Sequence, residues 1–91
     1  MTDSTQIKQL TLYHFKLCPF CIMVNRAIKT MGVKDRLDIG YKNIKRKEAF
    51  RKELIKGGGK QQVPCLRIDF EDGKTNWLYE STDIINYLAD L

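Results

Sequence analysis

No stretch of this chain approaches the ~20 apolar residues that a membrane-spanning helix requires. The first six residues, Met1 to Gln6, have neither a basic start nor an apolar run, so no signal peptide is expected. Cysteine is scarce and odd in number, at three, which argues against a disulfide scaffold and fits a reducing, cytoplasmic compartment. There is one histidine, at position 14, too few for a zinc site built on histidines. Disorder is excluded in turn, because 43% of the residues are hydrophobic and 30% charged. At 91 residues the chain reads as a single domain over 1–91, with 1–6 expected to be flexible.

What is plentiful is positive charge, and it is local. Sixteen Lys and Arg face eleven Asp and Glu, a net +5, yet the stretch from Lys42 to Lys60 alone carries +6. Such a cluster can meet an acidic protein, a small anion or nucleic acid, or can simply be a solvated helix face. Nucleic acid is disfavoured, because the basic residues are not interleaved with the aromatics that single-strand binders stack against bases.

Alternation marks a strand over Gln9–Phe15, with Leu10, Leu12 and His14 on one side and Thr11, Tyr13 and Phe15 on the other. Cys18-Pro19 opens a helix, since Pro at the first helical position loses no needed hydrogen bond. Cys21, Val24, Ile28 and Met31 form its buried stripe and Gly32 its stop. Leu37, Ile39 and Tyr41 make a second strand. Lys45–Lys56 reads as a basic helix closed by Gly57-Gly58-Gly59. Val63–Phe70 alternates as a third strand, with Pro64 confined to its start or edge because it cannot donate to a ladder. Asp72-Gly73 predicts a two-residue hairpin turn with both residues at positive φ, returning through Trp77-Leu78-Tyr79. Ser81 is placed as the N-cap of a last helix, with Ile84, Leu88 and Leu91 buried. The order β-α-β-α-β-β-α implies an α/β fold, a mixed four-stranded sheet flanked by three helices.

Cys18-Pro19-Phe20-Cys21 carries the chemistry. A C-x-x-C at the start of a helix puts both sulfurs within one turn. The free N–H groups and partial positive charge of the helix end stabilise a thiolate on Cys18, with Lys16 adding field of the same sign. Cys21, one turn deeper, is expected to keep an ordinary thiol pKa as a resolving partner. A redox dithiol matches this context best. Half a zinc site, which would lack partners, and two inert buried cysteines are the alternatives. Cys65 reads either as a small buried hydrophobe or as a second oxidation target.

Taken together, Cys18-Pro19-Phe20-Cys21 after a strand, Val63-Pro64 opening a later strand and Ser81-Thr82-Asp83 at a last helix resemble a glutaredoxin, from about Leu10 to Leu91. The resemblance implies a thioredoxin-like fold with strand order 2-1-3-4 and a cis peptide before Pro64. It implies a glutathione-dependent thiol–disulfide oxidoreductase acting on glutathionylated or disulfide-bonded proteins, with Cys18 as nucleophile and Cys21 as resolving thiol. Glutathione is the co-substrate, no metal or membrane is expected, and the protein is expected to be a monomer. The family's glutathione site maps onto Lys16, Phe20, Lys60, Gln61, Val63, Pro64, Ser81, Thr82 and Asp83. Two departures stand out. Phe20 replaces the usual Tyr, and Glu80-Ser81 looks more like the N-terminal domains of glutathione transferases. A complete transferase is not expected, since 91 residues leave no room for its helical second domain. A [2Fe–2S] carrier ligated by Cys18 and glutathione is one alternative function, and a binding module built on the basic helix is another.

Overall fold

The computed structural model describes residues 6–32 and 38–91. Leu37 and nearly all of the segment expected to be flexible fall outside them. The elements are β1 (Ile7–His14), α1 (Pro19–Thr30), β2 (Ile39–Asn43), α2 (Glu48–Gly58), β3 (Cys65–Phe70), β4 (Thr75–Leu78) and α3 (Ser81–Ala89). They form one sheet in the order β2-β1-β3-β4. β1 runs parallel to β2 with Leu12 opposite Tyr41, and antiparallel to β3 with Leu12 opposite Leu66. β3 and β4 are antiparallel, with Arg67 opposite Trp77. The expected fold class and strand order are those observed.

Alternation along β1 and β3 divides the interior into two layers. Leu10 and Leu12 of β1 and Leu66 and Ile68 of β3 meet Val24 and Ile28 of α1 and Ile84 and Leu88 of α3 on one face. On the other, Tyr13, Ile44, Leu54 and Cys65 pack with Phe50, Trp77 and Tyr79 beneath α2. Leu10, Leu12 and Tyr13 are all buried because β1 is central and covered on both faces. Leu91 departs from the expected stripe: it follows the end of α3 and is more than a third exposed.

Tyr13 is wholly buried, so its hydroxyl needs a partner. It donates to Glu53 Oε1 at 2.7 Å, and Lys42 Nζ reaches the same oxygen at 2.7 Å. This three-residue link ties α2 to β1 and β2. Burial pushes the Glu53 carboxyl up, but the hydrogen bonds from Lys42 and Tyr13 outweigh it and hold the group below its usual value of 4.5. A carboxyl depressed in this way contributes stability above its unfolded pKa and loses it as pH falls through the folded one. Urea unfolding from pH 6 down to 3 is therefore expected to show a loss of stability, concentrated below about pH 4.5, that Glu53→Gln reduces. An unchanged acid limb in the variant would contradict the link.

Three local expectations are corrected. α2 begins at Glu48 rather than Lys45 and runs through Gly57 and Gly58, ending at Gly59 with φ 91°. Asn43 Oδ1 accepts from Lys45 N at 2.8 Å and Asn43 O from Arg46 N at 3.1 Å, so a turn occupies the residues before the helix. The β3–β4 turn, closed by the Phe70–Lys74 pair, encloses three residues, not two. Gly73 N donates to Phe70 O at 3.0 Å and only Gly73 takes positive φ, at 91°, while Phe70 N donates to Lys74 O at 2.9 Å. Glu80, not Ser81, is the N-cap of α3: its backbone is extended and its carbonyl accepts from Ile84 N at 2.9 Å, so Ser81 enters the first turn.

Candidate active site

β1 ends at His14, and a short loop delivers the chain to Cys18, the N-cap of α1 with extended backbone (φ −82°, ψ 117°). Its carbonyl accepts from Ile22 N at 3.0 Å, the first helical bond, and Pro19 occupies the first helical position. The sulfur does what a Ser or Asp cap oxygen would do: Sγ accepts from Cys21 N at 3.3 Å. The amide donor and the N-terminal end of α1 thus both lie at this sulfur. Its thiol also lies 3.8 Å from the carbonyl oxygen of Val63. Val63 is joined to Pro64 by a cis peptide, as the family resemblance implied, and Pro64 lies just before β3, where its missing N–H breaks no ladder bond.

Cys18 is 7% exposed, whereas Cys21 is fully buried on the core side of α1. The expectation of an ordinary Cys21 thiol is corrected: burial first, then the hydrogen bond with Cys18, push its pKa up to about 12. Cys65 is also fully buried, and burial raises its thiol to about 12. Of the two readings of Cys65, the small core residue is the one the packing supports. Brief treatment of the native protein with iodoacetamide at neutral pH is expected to give one adduct, at Cys18, and three after unfolding. Mass spectrometry reads the count; rapid labelling of Cys65 in the native state would contradict its burial.

Beside Cys18 a cleft of about 100 Å³ is lined by Phe20, Gln62, Val63, Pro64, Tyr79, Glu80 and Ser81. Four of the sequence-predicted residues thus share its wall: Phe20, Val63, Pro64 and Ser81. Thr82 and Asp83 follow Ser81 in the exposed first turn of α3. Lys16 is exposed in the loop before Cys18. The structure does not bring Lys60 or Gln61 into the cleft wall. The ammonium of Lys60 rests 5.4 Å from the centre of the Tyr79 ring, and Gln61 lines a neighbouring groove with Ile44, Lys45, Glu48 and Arg51. Gln62, Tyr79 and Glu80 are lining residues that the sequence reading did not select as site residues. Tyr79 is fixed by its hydroxyl, which accepts from Lys60 N at 3.3 Å and donates to Lys60 O at 3.1 Å.

His14 does not join the cysteines in a metal site, and among the described residues no group of three His, Cys, Asp or Glu side chains is placed to hold a metal ion. Its ring meets Tyr41 edge-on at 5.5 Å, and burial holds its pKa below the usual value. Nor is any described helix long and apolar enough to cross a membrane.

A C-x-x-C at the head of a helix, set against a cis-proline on a 2-1-3-4 sheet, defines a thioredoxin-fold protein with a dithiol site. The chain belongs to the glutaredoxin family, whose model matches residues 10–72. Its fold is similar to that of a maleylacetoacetate isomerase from Anaeromyxobacter dehalogenans, solved with glutathione in its active site (TM-score 0.63, 23% identity, 98% of this chain and 38% of that one). It is also similar to glutathione transferase Omega 2C from Trametes versicolor (TM-score 0.64, 20% identity, 90% and 37%). A glutaredoxin from Brucella melitensis aligns over 92% of this chain and 80% of its own, with TM-score 0.55 and 14% identity. The chain thus spans less than two-fifths of the isomerase and of the transferase. No curated protein sequence matches it significantly.

Proposed function

We propose that the protein is a glutathione-dependent thiol–disulfide oxidoreductase that reduces protein–glutathione mixed disulfides through Cys18. The observation that carries this reading is the sulfur of Cys18 held as the cap of α1, accepting the Cys21 amide at 3.3 Å beside the cleft of Phe20, Val63 and Pro64. Family membership and a glutathione-bound neighbour of the same fold support the choice of co-substrate.

The Cys18 thiolate attacks the glutathione sulfur of the mixed disulfide, the S–S bond breaks, and the substrate protein leaves as a thiolate that takes a proton. A second glutathione thiolate attacks the Cys18–glutathione disulfide, releasing glutathione disulfide and restoring Cys18. Two glutathione sulfurs end in one disulfide, which balances the two electrons delivered to the substrate. With a protein disulfide as substrate, Cys21 displaces the bound protein and closes an 18–21 disulfide instead. The buried Cys21 thiol, with its pKa near 12, is almost wholly protonated at neutral pH, and attack needs the thiolate. External glutathione therefore competes with Cys21 as the resolving agent.

In the cleft, the exposed face of Phe20 packs against the ligand, and Val63 and Pro64 shape the wall beside Cys18. Ser81, Thr82 and Asp83 present the first-turn amides of α3, which no cap side chain covers, to the γ-glutamyl carboxylate, with Asp83 for its ammonium. Lys16, Lys60 and Gln61 supply the surrounding positive and polar field for the glycyl carboxylate. The test is turnover of a glutathionylated peptide with glutathione, glutathione reductase and NADPH. NADPH oxidation in step with peptide release is expected; no turnover above the uncatalysed rate would sink the proposal.

A further inference from the structure

The eight basic residues between Lys42 and Lys60 face only Glu48 and Glu53, and the fold commits both carboxylates. Glu53 serves Tyr13 and Lys42. Glu48 holds Arg51 at 3.3 Å and Lys52 at 3.6 Å. Among the described residues no carboxylate pairs with Lys45, Arg46, Lys47, Lys56 or Lys60. Three of these ammonium groups rest on rings instead, each 5.4 Å from the ring centre: Lys45 on Phe15, Lys47 on Phe50 and Lys60 on Tyr79.

Two of those aromatic residues border the redox centre. The carbonyl of Phe15 accepts the Cys18 amide at 3.4 Å, and Tyr79 lines the cleft. A groove of about 310 Å³ walled by Ile44, Lys45, Glu48, Arg51 and Gln61 adjoins it. Gln61 is followed directly by Gln62 and Val63 of the cleft, so the chain itself joins groove to cleft. Val63 O lies 3.8 Å from Cys18 Sγ and Gln61 is two residues from Val63, so at ~3.3 Å per residue the near edge of the groove is within reach of an extended peptide a few residues from a cysteine held at Cys18.

We propose that the basic groove docks an acidic segment of the substrate protein: an extended stretch with several Asp or Glu residues within about six positions of the cysteine that Cys18 releases. The proposal rests on Cys18 being the nucleophile and adds the substrate class. Unpaired surface cations act over the ~8 Å screening length at physiological salt, raising the encounter rate with an acidic partner and lowering it with a basic one. A polynucleotide fits less well. Phe15, Phe50 and Tyr79, the rings among the basic residues, are half-buried with lysine ammoniums over them, and an open run of stacking platforms is what a single strand needs.

The test compares three mixed disulfides with glutathione: a peptide with Glu at three positions near its cysteine, the same peptide with Lys there, and free cysteine. At low salt kcat/KM for the acidic peptide is expected to exceed that for the basic one by ~10-fold or more, and high salt should erase the gap. The double variant Lys45→Gln, Arg51→Gln should lose most of the preference while turning over the cysteine–glutathione disulfide normally. Equal wild-type rates on the two peptides, with the small disulfide still reduced, overturn the docking surface and leave the catalytic proposal standing. If no mixed disulfide is turned over, the catalytic proposal fails. Docking is then judged from binding of the fluorescein-labelled acidic peptide, with Ser for Cys, by anisotropy. Salt-sensitive binding that the double variant weakens supports it, and no binding overturns it. A single-stranded oligonucleotide of equal charge binding tighter than the peptide overturns the choice of partner.

Discussion

Cys18→Ser is expected to abolish reduction of glutathionylated substrates, while Cys21→Ser keeps much of it. The asymmetry follows from where each sulfur sits. Cys18 caps α1, accepts an amide at 3.3 Å and lies 3.8 Å from the Val63 carbonyl of the cleft wall, and it alone of the three sulfurs belongs to a residue with any exposed surface. A serine hydroxyl in its place keeps the cap but is not ionised at neutral pH and leaves no disulfide route. Activity should fall by at least ~10³-fold, to the uncatalysed exchange rate. Cys21 is buried on the core side of the same helix, with its thiol raised to about 12. Its loss removes the intramolecular branch and leaves glutathione to resolve the intermediate, so turnover of the mixed disulfide should change by no more than a few-fold. Steady-state rates on a glutathionylated peptide decide the matter. Mass spectrometry of Cys21→Ser stalled without glutathione should show a single glutathione on Cys18. Substantial activity in Cys18→Ser, or complete loss in Cys21→Ser, would reverse the assignment.

Gly57→Ala and Gly58→Ala are expected to destabilise the protein, against the usual sign. Exchanging Gly for Ala inside a helix ordinarily adds about 0.5–1 kcal/mol of stability. Here the helix backbone lies directly on two aromatic rings. A Cβ on Gly57 would strike the indole of Trp77, and one on Gly58 the hydroxyl end of Tyr79. Neither ring can retreat freely. Trp77 lies 5.6 Å from Tyr13 with Arg67 5.3 Å above it, and the Tyr79 hydroxyl is tied to both the amide and the carbonyl of Lys60. Overpacking of this kind costs about 1–3 kcal/mol, or roughly 4–8 °C in Tm per kcal/mol for a domain of this size. The two variants should differ in function. Gly58→Ala displaces Tyr79 from the cleft wall and should also raise KM for the glutathionylated substrate, whereas Gly57→Ala should change Tm with little effect on KM. An increase in Tm in either variant would contradict the packing.

These glycines mark the limit of what the chain's local pattern reveals. Gly57-Gly58-Gly59 reads as a stop signal, and locally that is sound: Gly59 does take the left-handed conformation that ends α2. The preceding two belong to the helix because rings from β4 and the residue just beyond it, some twenty positions away, need the space. The same distance hides the cleft. Tyr79 reads as one alternate position in a strand, and nothing near it in sequence says that its hydroxyl is bound at Lys60 or that it lines a cleft with Phe20 and Pro64. Ser81 is a good cap by composition. The cap falls on Glu80 because the extended approach from β4 fixes which carbonyl takes the first helical bond.

Position within one element was legible from the sequence, because it depends on neighbours a few residues away. Pro19 after Cys18 puts the cysteine at a helix head, Pro64 is held to the start of its strand, and the alternation of β1 and β3 sets two buried layers. Those features carry the family, the fold class and the choice of Cys18. Tertiary packing decided the electrostatic and steric character of these residues, since burial and charge pairing depend on what the other elements bring. It took the Cys21 and Cys65 thiols out of water and raised both to about 12. It spent Glu53 on Tyr13 and Lys42. From the local excess of positive charge, visible at once in the composition, Lys45 and Arg51 came to line a groove with Gln61 because packing against Tyr13 holds α2 there.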